Sequence, residues 1–197
     1  MILNNEIKFK YFPLDYKIMS DWVLDKWNSY DPNDPKRAGR TNSTTYTTRH
    51  MGAKYDIDFD VSEFRKLRDF ISGIGDEFGI KDSFINDMWV NYNPPGFYNV
   101  RHYHRNSIIS GCYYIDVPEN SGGIEFLDGR IFYPKAGDLL LWDSILPHWP
   151  QKNRSEYPRF CVPFNISNEE KYNGGFYSDE DKLLYKELNS LPPLVQD

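Results

Sequence analysis

The sequence predicts an α+β fold in which a small β-sandwich or barrel is backed by N-terminal helices. Three observations predict it. Residues 1–86 hold the helix-like periodic segments. From Asp87 onward, short runs rich in Ile, Val, Tyr and Phe alternate with turn residues. Helices come first and strands follow, which suits a sheet covered on one side and not alternating β-α-β units.

Taken in order, residues 15–30 carry Ile18, Trp22 and Trp27 at roughly helical spacing and read as an amphipathic helix. Residues 31–50 open with Asp31-Pro32-Asn33-Asp34-Pro35 and continue through Arg37, Arg40 and Arg49, a long ordered loop or lid. Asp60 to Phe78 is the clearest helix, with Phe64, Leu67, Phe70, Ile71, Ile74 and Phe78 on one face and Asp60 with Glu63 as a capping box. Gly73, Gly75 and Gly79 weaken its end. Strands are expected at Met88–Asn93, Ser107–Val117, Ile124–Leu127, Ile131–Tyr133, Leu139–Trp142 and Arg159–Ile166, each bounded by Gly, Pro, Asp or Asn. Ser178 starts a final helix over 178–191, with Leu183, Leu184 and Leu188 apolar and Pro192 beyond it. The chain is expected to be one domain over 1–197, with a β core at 87–167.

Composition narrows the function. A net charge of −6 argues against extended binding of nucleic-acid backbone, which needs a basic face. No apolar run approaches the roughly 20 residues that span a bilayer, and Met1 to Lys10 lacks the pattern of a signal peptide. Cys112 and Cys161 form no C-x-x-C and read as small buried residues, so a cytosolic, reduced setting is expected. An aromatic fraction of 17% enlarges a core and can build a pocket.

Three of the four histidines fall into one ordered pattern, His102-Tyr103-His104 and then His148, followed by Arg159. Histidines at i and i+2 of an extended segment project from one face, about 6.7 Å apart along it. Both can reach one metal at roughly 2.0–2.2 Å, with a third ligand from another strand. In Arg159–Ile166 the even positions Phe160, Val162, Phe164 and Ile166 are apolar, which puts Arg159, Cys161 and Asn165 on the opposite face. The apolar face should pack on the helices, leaving Arg159 in a polar interior where its guanidinium needs an anion. That anion is either a bound carboxylate or an Asp or Glu of the protein. The same parity gives Ser110, Cys112 and Tyr114 one face, so Tyr114 either shares the interior with Arg159 or is an ordinary core tyrosine.

The runs Tyr98-Asn99-Val100-Arg101-His102-Tyr103-His104, Ser110-Gly111-Cys112-Tyr113-Tyr114, Ser121-Gly122-Gly123-Ile124-Glu125-Phe126 and Pro134–Asp138, then His148 and Arg159, resemble the 2-oxoglutarate/Fe(II)-dependent oxygenases. The likeness covers roughly residues 88–166 and is greatest to the prolyl-hydroxylase-like branch. Arg40-Thr41-Asn42 and the helix after Asp60 are similar to a bacterial and phage subgroup of oxygenases with an H-x-H-x(5)-S-G run. The resemblance implies a double-stranded β-helix, a jelly-roll of cupin type. It implies Fe(II) held by His102, His104 and His148, with 2-oxoglutarate and O2 as co-substrates. Arg159 would pair with the far carboxylate of 2-oxoglutarate, assisted by Tyr114 and Tyr92, and no catalytic side chain beyond the metal ligands is implied. The implied reaction hydroxylates a peptidyl proline, another protein side chain or a small molecule, with release of succinate and CO2.

His104 departs from the superfamily, which usually has a carboxylate there. Three neutral histidines leave one more positive charge at the metal, favouring the dianionic co-substrate. Two further readings stand beside this one: a three-histidine cupin-like metalloenzyme that does not use 2-oxoglutarate, and a jelly-roll binding module that has lost catalysis. Only three Ala beside many Asn, Tyr, Lys and Ile point to an AT-rich genome, such as that of a phage acting in its host's cytosol.

Overall fold

The structure is a computed structural model that describes residues 2–4, 6–29, 53–173, 183 and 186–187. Its elements run β1 (Lys8–Tyr11), α1 (Tyr16–Asn28), β2 (Ala53–Asp56), α2 (Ser62–Ser72), α3 (Ile74–Glu77), β3 (Phe84–Asn93), β4 (Ile109–Asp116), β5 (Ile124–Phe126), β6 (Ile131–Phe132), β7 (Asp138–Asp143), β8 (His148–Pro150), β9 (Arg159–Ser167) and α4 (Glu169–Asn173). The loop expected at 31–50 and nearly all of the helix expected at 178–191 lie outside the described residues.

Helix α1 starts where the Asp15 carboxylate accepts the N–H groups of Lys17 and Ile18, at 3.1 and 3.3 Å. Its buried residues are Met19 and Val23, with Trp22 and Trp27 packed at the margin of the core. Ile18 is a correction: it points outward, 44% exposed, because the face that packs runs one position later. The helix expected over 60–78 is broken at Gly73 into α2 and α3, consistent with the low helix propensity of glycine. The capping box is a second correction. Val61 occupies the cap position without a side-chain bond, and the Asp60 N–H turns to Asp58. Glu63 is buried instead. It accepts from Lys66 at 2.6 Å and from the Asp15 N–H at 3.2 Å, which ties the start of α1 to α2.

Two antiparallel sheets follow, one of six strands in the order β1-β7-β4-β9-β3-β2 and one of three in the order β6-β5-β8. The outer face of the large sheet carries Val90, Ile109, Tyr113, Val162 and Ile166 against Met19, Val23, Phe64, Leu67 and Ile71 of the helices. Its inner face joins the small sheet around Cys112, Tyr114, Ile124, Phe126, Leu140, Trp142 and Cys161. The parity expected for β4 and β9 therefore holds, and two facing sheets with helices behind one of them make the double-stranded β-helix. Strands β1, β2 and β8 were not expected; β1 and β2 are four-residue edge strands and β8 has three residues. Among the described residues no helix is long and apolar enough to cross a membrane.

Candidate metal centre

The metal-binding candidates are brought together by backbone pairing. His102 and His148 form an isolated antiparallel bridge, each N–H donating to the other's carbonyl at 3.1 and 3.0 Å, which adds one residue to the edge of the small sheet. The His104 N–H donates to the Ser144 carbonyl at 2.8 Å, tying the second histidine to the end of β7. One ligand nitrogen from each of the three rings lies within 4.8 Å of the other two, and ring centroids are 4.5–5.4 Å apart.

Two of the rings are oriented for a metal. His102 Nδ1 lies 2.8 Å from the Val100 carbonyl, and His148 Nδ1 lies 2.9 Å from that of Leu146. Each contact requires a proton on Nδ1, which leaves the Nε2 lone pair for an ion. The Trp142 indole N–H also points at His148 Nδ1, at 3.2 Å, and the two contacts are exclusive: the ring can bind a metal through Nε2 in the tautomer that donates to Leu146. Burial lowers the pKa of His102. Burial also holds His148 well below its ordinary value, with further lowering from His102 and His104. Both are neutral at pH 7, the state a ligand needs.

The rings open into a cavity of about 150 Å³ that also holds Arg159 and Tyr114. By volume this accommodates a small molecule and not merely one water, which needs roughly 10–15 Å³ on that measure. Strand register lays out its large-sheet wall in rows: Asp87, Asn165, Ser110 and Trp142 across one end, Asn91, Cys161 and Tyr114 further along, then Asn93 beside Arg159. Arg159 is 2% exposed, and its Nη1 donates to the carbonyls of Ser121 and Gly122, both at 2.9 Å. Gly122 can turn its carbonyl there because its φ is +78°, and a Cβ on it would meet the Lys152 carbonyl at 2.7 Å. The other edge of the guanidinium is unused. Nε is buried with no partner, and among the described residues no Asp or Glu pairs with Arg159.

Tyr114 faces the same cavity. Burial raises its phenol well above the ordinary value, as do Cys112 and Cys161, so it stays a neutral donor at pH 7. Cys112 and Cys161 are free thiols in that wall. They are buried as expected, but they line the cavity.

Tyr92 is a correction. It pairs with Phe160 on the helix side of the sheet, and its ring stacks on Trp27 with centroids 3.9 Å apart. On β3 the residues turned to the cavity are the alternate ones, Asp87, Trp89 and Asn91. None of these three is among the residues the sequence points to, although their alternation with Met88, Val90 and Tyr92 is visible there.

The residues fit both groups that the sequence resemblance implies. Three imidazoles suit a divalent transition ion, and the free Nε edge of Arg159 suits a carboxylate. A family model described as "Putative 2OG-Fe(II) oxygenase" matches residues 87–133, a segment that contains His102 and His104. No curated protein matches the chain. Among solved structures, the chain is similar to a viral collagen prolyl hydroxylase from Paramecium Bursaria Chlorella virus-1 in a 2-oxoglutarate complex, with TM-score 0.62, 12% identity and coverage of 83% of this chain and 96% of that one. A prolyl hydroxylase from Trichoplax adhaerens, bound to a hypoxia inducible factor peptide fragment, gives 0.61 at 17% identity, covering 88% and 89%. HygX from Streptomyces hygroscopicus, with nickel and 2-oxoglutarate bound, gives 0.57 at 10% identity, covering 85% of each chain. At these identities the structural likeness establishes the fold. In fold, and over residues 87–133 in sequence, the chain is similar to the 2-oxoglutarate/Fe(II)-dependent oxygenases, with prolyl hydroxylases among its structural neighbours.

Proposed function

We propose that the chain is a 2-oxoglutarate- and Fe(II)-dependent dioxygenase that hydroxylates a side chain of a peptide or protein, a peptidyl proline being the first candidate. The observation that carries this reading is the unused edge of Arg159, buried in the same cavity as three histidines that can share one ion. A buried guanidinium without a protein carboxylate calls for an anion, and a planar carboxylate matches its fork. The peptide bound to the Trichoplax neighbour supports the substrate class.

His102, His104 and His148 would hold Fe(II) through neutral nitrogens, with the Nδ1 contacts of His102 and His148 keeping those rings oriented. Arg159 would bind the far carboxylate of 2-oxoglutarate through Nε and Nη2, while its Nη1 stays anchored to Ser121 and Gly122. The Tyr114 hydroxyl would donate to the same carboxylate. Iron with 2-oxoglutarate and O2 supplies an oxidative decarboxylation that releases succinate and CO2 and inserts oxygen into a C–H bond. Ile124, Trp142, Pro150 and Phe164 give the cavity part of its lining as apolar surface, which limits water near the metal.

The three-histidine set favours a second reading, a metalloenzyme that does not use 2-oxoglutarate, because it lacks the usual carboxylate ligand. Succinate formation separates the two. The iron-loaded protein should convert 2-oxoglutarate to succinate in air, and proline-containing peptides should increase the rate and gain one oxygen by mass. A protein that retains metal but makes no succinate under any of these conditions belongs to the second reading.

A further inference from the structure

The cavity wall near the histidines holds a buried polar group of three that the proposed roles leave unexplained. Ser110, Ser144 and Asn165 are 1%, 0% and 3% exposed. Ser110 Oγ donates to Asn165 Oδ1 at 2.7 Å. Its single proton is then committed, so the 3.0 Å contact between the two hydroxyls is a donation from Ser144 to Ser110. In this arrangement the Oδ1 end of the Asn165 amide faces the serines. Its Nδ2 group turns away from them and makes no hydrogen bond among the described residues, although Asn165 lines the cavity. Asn165 lines the cavity, so the Nδ2 end is a donor available to a ligand there.

Position says which part of a ligand. Ser144 accepts the backbone N–H of His104, and Trp142, opposite Ser110, lies against His148. Asn165 therefore stands at the histidine end of the cavity, and Arg159 stands six residues back along β9 on the same face. A dicarboxylate anchored by Arg159 would direct its second carboxylate toward the end of the cavity where Asn165 stands. We propose that Asn165 is a positioning residue whose Nδ2–H donates to the carboxylate of 2-oxoglutarate nearest the histidines, with Ser110 and Ser144 locking the amide in its donating orientation. The inference rests on the 2-oxoglutarate reading above. It is independent of the primary substrate. One oxygen of that carboxylate is left free when the other meets the metal, and a neutral donor orients it without adding charge to a three-histidine site.

The test is anaerobic calorimetry of 2-oxoglutarate binding to the Mn(II)-loaded protein, with metal content and thermal midpoint measured on each variant. Asn165→Ala should weaken binding about tenfold, and Asn165→Asp, which sets two carboxylates against each other, by about a hundredfold or more. Ser110→Ala should cost about threefold, because the amide is freed to rotate and not removed. Asn165→Ser, which keeps a donor, should recover part of the loss and also serves if the Asp variant does not fold. A purely structural Asn165 would not change the visible absorbance of the anaerobic Fe(II)–2-oxoglutarate complex, whereas the proposal expects that band to move in Asn165→Ala. Binding within about twofold of wild type in both the Ala and Asp variants, with an unmoved band, would overturn the assignment. If wild type itself does not bind 2-oxoglutarate, the proposed function fails first and this inference falls with it.

Discussion

Removing the Arg159 side chain probes the co-substrate reading where it is most exposed to error. Nη1 is committed to the Ser121 and Gly122 carbonyls, while Nε is buried without a partner, so the edge left for a ligand is Nε with Nη2. Each charge-assisted bond contributes about 1.5–3 kcal/mol. Two at the lower end give about 3 kcal/mol, so Arg159→Ala should weaken 2-oxoglutarate binding by at least about a hundredfold. Arg159→Lys keeps a charge but loses the fork, and should fall between the two. The Ala variant also leaves the Ser121 and Gly122 carbonyls without their donor, at about 1–3 kcal/mol for each that water does not reach. Its thermal midpoint therefore has to be followed beside the calorimetry, to separate lost binding from lost fold. If a folded Arg159→Ala protein bound 2-oxoglutarate within about threefold of wild type, Arg159 would not be the carboxylate site.

Four other outcomes follow from the same geometry. Tyr114→Phe should reduce 2-oxoglutarate affinity several-fold by calorimetry, whereas Tyr92→Phe should leave it unchanged, since Tyr92 packs on Trp27 behind the sheet. Gly122→Ala places a Cβ 2.7 Å from the Lys152 carbonyl at a φ of +78°, so it should destabilise the fold by about 1–3 kcal/mol and weaken 2-oxoglutarate by displacing a carbonyl that holds Arg159. Saturating Mn(II) or Zn(II) should raise the thermal midpoint of wild type, about 2.7 kcal/mol at a hundred times Kd, and should not do so for His148→Ala. The metal-free protein should lose stability as pH falls below about 6.5, because the unfolded chain takes up protons that folded His102 and His148 refuse. The slope approaches about 1.4 kcal/mol per pH unit for His148, which the other two histidines push down further, and is smaller for His102; no such dependence is expected above pH 7. A flat stability curve from pH 7 to 5 would show that the histidines are not held neutral.

Much of this arrangement was legible in the sequence because strand parity has a strict period of two. Phe160, Val162, Phe164 and Ile166 identified the helix side of β9, and Arg159 with Asn165 had to lie opposite. The H-x-H pair worked for a different reason. His102 has only a single bridge to His148, not a full strand, yet an extended backbone still turns alternate side chains one way. The family resemblance points Tyr92 at the co-substrate, but strand parity places it on the other face: Asp87, Trp89, Asn91 and Asn93 alternate with Met88, Val90 and Tyr92, polar against largely apolar. The capping box failed because Glu63 gains more by joining α1 to α2 than by reaching back to its own helix start, a tertiary contact that no local pattern encodes. The network of Ser110, Ser144 and Asn165 joins residues up to 55 positions apart, so only the strand register could assemble it.

The central claim is that three neutral histidines and one arginine hold an iron ion and 2-oxoglutarate in a single cavity. A crystal grown without oxygen, with Fe(II) and 2-oxoglutarate, tests it most directly. The expected result is an anomalous iron peak at roughly 2.0–2.2 Å from one nitrogen of each of His102, His104 and His148, with a carboxylate in bidentate contact with Arg159. Iron absent from the histidines, His104 rotated away from it, or 2-oxoglutarate bound with Arg159 still facing no carboxylate would contradict the claim.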